Sequence, residues 1–343
     1  NASASWAKEE QLFVFHVAQP WMFDKPILGA LDIYHRRPTY DELRNITPNP
    51  VHERLSGGSI MGGALTPPTW PLFADTRAIG SFGFDAIRYQ QIPVASISPL
   101  YFNSVAVAAT ANAEYQQILN KSFDPGDFLW LGGAFEQDTR NHPVHTSHGH
   151  KWKIYARFAM PTFEKDIGFY KLSLDAQWFT PLIGEYDLVL KLHGYAGAAV
   201  PLRNRTIPFG ELFHIGGDNS VRGFLFGQIG PQFLGSTIGG KKALFVNVEL
   251  IFPLLPDMSV KALVFYDGGA GWDNPYTQGV SGAFLEGNRF DYRHSVGFGL
   301  RLLKPMPIRV DWGFKIDPRK DRTDPALGES ASEVHFGMSY AFD

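Results

Sequence analysis

The sequence lacks cysteine, long apolar runs and clusters of cations. Without cysteine the chain has no disulfide, no thiolate metal site and no cysteine nucleophile. No segment approaches the roughly 18 uninterrupted apolar residues that a transmembrane helix needs. No basic run is longer than two residues, as in Arg36-Arg37 and Lys241-Lys242, and the formal net charge is −3. These absences argue against a helical membrane protein and against nucleic acid as a partner.

The common catalytic and nucleotide-binding motifs are also missing. The chain has no G-x-S-x-G elbow, no H-E-x-x-H pair, no P-loop and no G-x-G-x-x-G fingerprint. Its carboxylates are scattered, without a pair suited to acid–base work. We therefore expect no enzyme activity, no cofactor and no catalytic residue.

One histidine cluster could in principle bind a transition metal. His142, His145, His148 and His150 fall within nine residues, but no cysteine or carboxylate lies beside them. Pro143 and Gly149 are typical of a turn. We expect a solvated turn and no metal site.

What the sequence does contain is period-two alternation in segments of about ten residues. In 307–316, Val310, Trp312 and Phe314 alternate with Asp311 and Lys315. Similar alternation recurs in 291–303, 150–160 and 168–180. A helix does not have this period, so the pattern predicts strands with one apolar and one polar face.

A soluble sandwich and a membrane barrel both alternate in this way. Two features favour the barrel. Trp and Tyr residues fall near segment ends, as in the aromatic girdles of outer-membrane barrels. Short connections such as 253–257 and 304–306 alternate with long ones at 91–127, 201–240 and 274–290, which matches periplasmic turns and extracellular loops. The prediction is an all-β, transmembrane antiparallel β-barrel of the outer-membrane type.

The alternation predicts about thirteen strands, and 109–120 reads as a short helix within a loop. The predicted strands are 10–18, 27–36, 57–66, 76–89, 128–138, 150–160, 168–180, 186–198, 242–252, 258–272, 291–303, 307–316 and 333–342.

The long connection 199–240 carries the most specific motif. Its residues Gly216-Gly217-Asp218-Asn219-Ser220-Val221-Arg222-Gly223-Phe224 resemble the GG-x-x-S-VRGF signature of the Omp85 superfamily, in particular of its BamA-like members. In that family the loop folds into the lumen and its arginine meets acidic residues of the wall. The resemblance implies that Arg222 pairs with Glu249 and Asp267, with Gly216, Gly217, Val221, Gly223 and Phe224 completing the loop signature.

The C-terminal segment resembles the β-signal of outer-membrane barrels. It has the pattern His335-x-Gly337-x-x-Tyr340-x-Phe342. The family normally ends at the aromatic residue, whereas this sequence continues to Asp343.

The resemblance implies a sixteen-stranded family and a Gram-negative outer-membrane location, with residues 1–343 forming a barrel that lacks its first strands and the N-terminal POTRA domains. It also implies an assembly factor that inserts β-barrel proteins by lateral gating and strand templating. The expected partners are nascent outer-membrane β-barrel proteins, accessory assembly lipoproteins, and membrane lipid with lipopolysaccharide. A transporter that exports one dedicated partner, as in two-partner secretion, stays open as the alternative.

Overall fold

The computed structural model describes most of the chain. The described residues are 2–6, 10–40, 51–66, 69, 76–90, 104–143, 145–162, 167–184, 188–203, 205–255, 259–280, 284–303, 307–319 and 329–338.

Within the described residues, fourteen strands form one antiparallel sheet in which the strands follow each other in chain order. They are β1 (Ala2–Trp6), β2 (Glu10–Gln19), β3 (Ile27–Tyr40), β4 (Val51–Leu65), β5 (Arg77–Tyr89), β6 (Gly126–Asp138), β7 (Gly149–Pro161), β8 (Phe169–Ile183), β9 (Leu188–Pro201), β12 (Lys242–Pro253), β13 (Val260–Trp272), β15 (Arg293–Leu302), β16 (Ile308–Lys315) and β17 (Ser332–Met338). Three two-residue strands form a second small sheet in the order β11-β10-β14: β10 (Gln232–Phe233), β11 (Ser236–Thr237) and β14 (Leu285–Glu286).

The predicted fold class is confirmed, with fourteen strands in the main sheet of the described residues against about thirteen predicted. The additional strand is β1, whose sequence ASASW is too short and too poor in large apolar residues to show alternation. β4 begins at Val51 rather than at 57, since the polar sequence HER interrupts the apolar pattern there. The predicted last strand extends to 342, and its part beyond Met338 lies outside the described residues.

The two faces of the sheet differ as the alternation predicts. On β16, Val310, Trp312 and Phe314 point outward and are exposed, while Asp311 is completely buried on the other face. The same outward row continues on β17 as Val334, Phe336 and Met338. Exposed apolar side chains over the whole outer face suit hydrocarbon rather than water. No helix in the described ranges is both long enough and apolar enough to cross a membrane.

The sheet curves around its own long connection, residues 202–241. Within that connection, Phe209 packs on Tyr40 of β3, Glu211 pairs with Arg157 of β7, and Gly223 bonds to His335 of β17. A single segment can touch strands so far apart in the sheet only if the sheet wraps around it. We call residues 202–241 the luminal loop.

A helix caps the end from which the luminal loop enters. It is α1 (Val105–Ser122), longer at both ends than the predicted 109–120. The Ser104 side chain accepts a hydrogen bond from the Val107 amide at 3.4 Å, as an N-cap does. Ala108, Ala111, Tyr115 and Leu119 form its buried face, which has helical spacing.

Strand length changes around the sheet. We call β3–β9 the N-terminal wall, whose strands have 13 to 15 residues. We call β12, β13 and β15–β17 the C-terminal wall, in which β12 has 12 residues, β13 has 13, β15 has 10 and β16 has 8. A transmembrane β-strand ordinarily needs about 9 to 11 residues, so β16 falls below the usual length.

Candidate functional site in the barrel lumen

The tip of the luminal loop is a tight turn that its glycines permit. Gly216 and Gly217 have φ of +117° and +91°, in the left-handed region that glycine adopts at little cost. The Ser220 hydroxyl accepts from the Gly216 amide at 2.8 Å and donates to the Gly216 carbonyl at 3.0 Å. This closed turn presents Val221, Arg222 and Gly223 to the wall.

Arg222 lies between two carboxylates on neighbouring strands. Its Nε and Nη2 donate to Asp267 of β13 at 2.7 and 2.8 Å, and Nη2 also lies 2.7 Å from Glu249 Oε1 of β12. The Arg222 amide donates to Asp267 at 3.0 Å. The Asp267 side chain is completely buried, so its charge has been removed from water and depends on this arginine.

Arg222 also contacts the wall through its remaining faces. Its guanidinium carbon lies 3.7 Å from the centroid of the Phe265 ring, within cation–π range. Its Nη1 is 3.7 Å from Asp311 of β16. Asp311 in turn accepts two hydrogen bonds from Arg301, at 2.8 and 3.0 Å. The buried charges therefore alternate in sign across the inner wall.

Three wall side chains bond the backbone of the loop tip. The Ser295 hydroxyl donates to the Arg222 carbonyl at 2.5 Å, and the Asn247 side-chain amide donates to the Ser220 carbonyl at 2.6 Å. The Gly223 amide donates to His335 Nε2 at 2.9 Å. Buried backbone groups thus find partners on the wall, as a loop inside a lumen requires.

The loop touches the wall most closely where two glycines meet. Gly223 has φ of +86°, and a Cβ added to Gly313 of β16 would lie 2.4 Å from the Gly223 nitrogen. A side chain at 313 would therefore push the tip away from the wall. Phe224, next in the chain, is completely buried and lies under the cations of Arg293 and Lys315 at 5.0 and 5.1 Å.

A second anchor holds the other part of the loop, with the charges reversed. Glu211 lies on the loop, and its carboxylate pairs with Arg157 of β7 at 2.6 Å and with Lys171 of β8 at 3.2 Å. The Lys171 ammonium also donates to the Glu211 carbonyl at 2.9 Å. Arg157 additionally pairs with Asp85 of β5 and lies 4.5 Å from the Trp130 ring.

The electrostatics of the loop follow from these partners. Burial alone would raise the pKa of Glu211, but Lys171 and Arg157 more than offset it and hold that pKa below its usual range. Burial lowers the pKa of His214 to about 4, and the nearby charge of Lys171 also lowers it. At neutral pH Glu211 is therefore ionised and His214 is neutral.

An aromatic cluster fills the lumen at the end where α1 lies. Phe123 stacks on Phe209 with centroids 4.8 Å apart, and Tyr115 stacks on Phe233 at 4.9 Å. All four side chains are buried. On the other side of the loop tip lies a cavity of about 590 Å³, lined by Lys153, Asp175, Lys191 and Glu249 among others. The lumen is thus packed at one end and polar towards the other.

The structure brings the predicted luminal residues together. Gly216, Gly217, Val221, Arg222, Gly223 and Phe224 form the loop tip, and Glu249 and Asp267 face it. In the β-signal segment, the His335 ring bonds Gly223, and a Cβ at Gly337 would meet the Arg309 side chain. Tyr340 and Phe342 lie outside the described residues.

The histidine cluster forms a turn between β6 and β7. The His142 ring accepts from the His145 amide at 3.0 Å, and Asn141 accepts from the amides of Ser147 and His148. The described residues contain no group of three or more His, Asp or Glu side chains that could hold a metal ion.

Several site residues were missed by reasoning from the sequence. They are Asp311, Ser295, Asn247, Phe265 and Gly313 around Arg222, and the whole second anchor of Glu211, Arg157 and Lys171. The available signal was the alternation along each strand, since each of these wall residues lies on the same face of its strand as the polar residues. Parity shows that a side chain points inward, but it does not show which loop residue it meets.

Comparisons with known proteins identify the family to which this chain belongs. The Omp85 superfamily domain model matches residues 1–342. The outer membrane protein assembly factor BamA of Nitratidesulfovibrio vulgaris is 29% identical over 191 residues, which are 54% of this chain and 23% of that protein. The chain thus matches about a quarter of that relative's length.

Two solved structures show the same fold at low sequence identity. BamA from Haemophilus ducreyi lacking POTRA domains 1–3 has a TM-score of 0.75 at 15% identity, covering 98% of this chain and 63% of that one. CdiB from Acinetobacter baumannii has a TM-score of 0.54 at 14% identity, covering 96% and 50%. On the family match over nearly its whole length, the chain belongs to the Omp85 superfamily, and it is a BamA-like outer-membrane β-barrel.

Proposed function

We propose that this barrel belongs to an assembly factor that folds and inserts other β-barrel proteins into the outer membrane. The work is done by lateral gating and strand templating, without enzyme chemistry or a cofactor. Its partners are nascent outer-membrane β-barrel proteins, accessory assembly lipoproteins, membrane lipid and lipopolysaccharide. The names of the relatives support the assembly role, since the BamA relative is described as an assembly factor.

The observation that carries this proposal is the shortening of the C-terminal wall. β16 has 8 residues, whereas β8 on the other wall has 15. At a rise of about 3.3 Å per residue, 8 residues extend about 26 Å, and a tilt of about 40° reduces the membrane height to about 20 Å. The outward apolar band of an outer-membrane barrel is ordinarily about 25 Å tall. Lipid beside β16 must therefore thin or disorder to match it.

Thinned lipid beside a strand edge lowers the barrier to inserting another strand. An unpaired backbone group costs several kcal/mol in hydrocarbon, so an edge exposed there favours any strand that can pair with it. An incoming strand gains the same hydrogen bonds by β-augmentation. The free energy for insertion then comes from backbone pairing and burial, and nucleotide hydrolysis is not required.

In this proposal the luminal loop braces the short strands from inside. Arg222 connects β12, β13 and β16, and the loop backbone is bonded to β15 and β17. Short strands make few hydrogen bonds with their neighbours. Contacts through the luminal loop therefore hold the wall together while its edge pairs with an incoming strand.

The test is replacement of the natural gene in a depletion strain by Arg222→Ala or Glu249→Ala. We expect lower barrel stability and lower steady-state amounts of many client barrels. Arg203→Ala is the matched control, because Arg203 is an exposed arginine of the same luminal loop. Unchanged client amounts in the Arg222 variant, with the control behaving as wild type, would refute the proposal.

A transporter of one dedicated partner is the second candidate, supported by the similarity to CdiB in fold. Against it, the aromatic cluster of Phe123, Phe209, Phe233 and Tyr115 fills the lumen. Single-channel recording and co-purification separate the two. Steady ion conductance with a single exported partner supports the transporter, and dependence of many barrels supports the assembly factor.

A further inference from the structure

The last strand of the sheet is paired on one side only. β17 has 7 residues and pairs with β16 from Ser332 to Met338, and the described residues contain no second strand beside it. A strand this short forms few ladder hydrogen bonds, and short edge segments open locally at little cost in free energy. The position of β17 therefore depends on contacts outside the ladder.

The luminal loop contacts β17 through His335. The Gly223 amide donates to His335 Nε2 at 2.9 Å, and among the described residues this is the one hydrogen bond between the luminal loop and β17. Because Nε2 accepts, the ring is neutral and carries its proton on Nδ1. Gly223 is buried, so its N–H would be left without an acceptor if the ring were removed.

The inner face of β16 lets the loop tip lie close enough to reach β17. Gly313 of β16 faces Gly223, and a Cβ at position 313 would meet the Gly223 nitrogen. Asp311 lies directly opposite His335 in the β16–β17 register, and its Oδ1 is 3.7 Å from Arg222 Nη1. The loop tip thus crosses the inner face of β16 and is hydrogen-bonded to the strand beyond it.

A glycine two residues after the histidine makes room for a second connection. Gly337 lies opposite Arg309 in the register, and a Cβ there would lie 2.6 Å from Arg309 Nε. The Arg309 guanidinium passes this position, pairs with Asp218 and donates to the Asn219 side chain at 3.0 Å. His335 and Gly337 therefore both fit the loop tip, one by accepting a hydrogen bond and the other by having no side chain.

We propose that His335 is a positioning residue: it fixes the edge strand β17 to the luminal loop, and through it the loop sets the position of the edge that pairs with an incoming strand. The proposal rests on the proposed function, in which that edge is the template. The loop tip is itself held by Asp267 and Glu249 through Arg222. An edge fixed in this way presents its N–H and C=O groups in one arrangement, which lowers the ordering cost of pairing.

The first test measures hydrogen exchange of the β17 amides in the purified full-length protein in lipid nanodiscs. His335→Leu removes the acceptor, and we expect the β17 amides and the Gly223 amide to exchange about tenfold faster, which corresponds to about 1.4 kcal/mol. His335→Gln should restore the slow exchange, because the glutamine amide oxygen can accept the same bond. Gly337→Ala keeps the histidine and displaces Arg309, so its increase should be smaller.

Val334→Leu is the matched control, because Val334 precedes His335 on β17 and lies on the outer face, away from the loop. Its exchange should equal that of the wild type. Slow exchange in His335→Leu would overturn the proposal. Fast exchange in His335→Gln would do the same, since it would mean that the shape of the ring matters and its acceptor does not.

The second test follows the insertion of an unfolded client barrel into vesicles that contain each variant. We expect His335→Leu to slow insertion and His335→Gln to restore the wild-type rate. Insertion at the wild-type rate by His335→Leu would overturn the role of His335 in positioning the template. If the wild-type protein itself does not speed insertion, the proposed function fails, whereas the exchange measurement still decides whether His335 holds β17. The two failures are therefore distinguishable.

Discussion

The two walls of the barrel hold the same loop with opposite charges. On the C-terminal wall, the carboxylates Glu249 and Asp267 face a loop arginine. On the N-terminal wall, the cations Arg157 and Lys171 face a loop carboxylate, Glu211. The strands differ as well, with 15 residues in β8 and 8 in β16. The loop therefore connects a wall of long strands with a wall whose strands shorten from β13 to β16.

The reversed polarity fixes the orientation of the loop. If the loop were rotated in the lumen, Arg222 would meet the cations of β7 and β8, and Glu211 would meet buried carboxylates. Like charges brought together in a confined space cost several kcal/mol. Two anchors of opposite sign therefore allow only one orientation of the loop. A single anchor facing the same charges on both walls would allow more than one.

The largest predicted effect comes from breaking the Arg222 anchor. Arg222→Ala leaves Asp267 and Glu249 buried without their principal partner, and should lower the free energy of unfolding by about 3 to 5 kcal/mol. Arg222→Lys should recover only part of it, because an ammonium cannot reproduce the fork. Urea unfolding in detergent, followed by tryptophan fluorescence, measures both. A loss below about 1 kcal/mol would contradict the role of this anchor.

The next prediction compares the lipid-facing surfaces of the two walls. Leu174 of β8 and Val310 of β16 are exposed outward near the middle of their strands. Leu174→Arg should cost about 2 to 4 kcal/mol, as at a bilayer midplane, and Val310→Arg about 1 kcal/mol, because every residue of a short strand lies near an interface. Unfolding from lipid vesicles gives both values, with the alanine variants as controls. Equal costs would show that the bilayer is not thinner at β16.

A third prediction concerns the contact of the loop tip with β16. Gly313→Ala places a Cβ against the Gly223 backbone, and should destabilise the docked tip by about 1 to 3 kcal/mol. Gly133→Ala on β6 is the control, since the nearest atom to its added Cβ is 3.9 Å away. Hydrogen exchange at the loop amides should increase only in the first variant. The same increase in both would show that the effect is general to the barrel.

The smallest predicted effect is at the second anchor. Glu211→Gln removes the charge that Arg157 and Lys171 share, but Arg157 keeps Asp85. The expected loss is about 1.5 kcal/mol, typical of a charge-assisted hydrogen bond. Urea unfolding at neutral pH measures it. A loss as large as that of Arg222→Ala would mean that the two anchors contribute equally and that the C-terminal wall has no special dependence on the loop.

The longer strands and the direction of their side chains follow from local sequence, because a strand's period of two is a local property of the backbone. The alternation around Trp312 and the run GGDNSVRGF could be interpreted without coordinates. The five-residue β1 could not be predicted, since its pairing with β2 defines it and its composition does not.

Which inward residues contact each other depends on how the whole sheet curves. Asp311 and Ser295 have the same parity signal as any polar luminal residue, and their contact with Arg222 depends on the shear and curvature of the whole sheet. The Glu211 anchor joins residues that are 40 and 54 positions apart in the sequence. Local chemistry sets the direction of each side chain, whereas the closing curvature of the wall sets its neighbours.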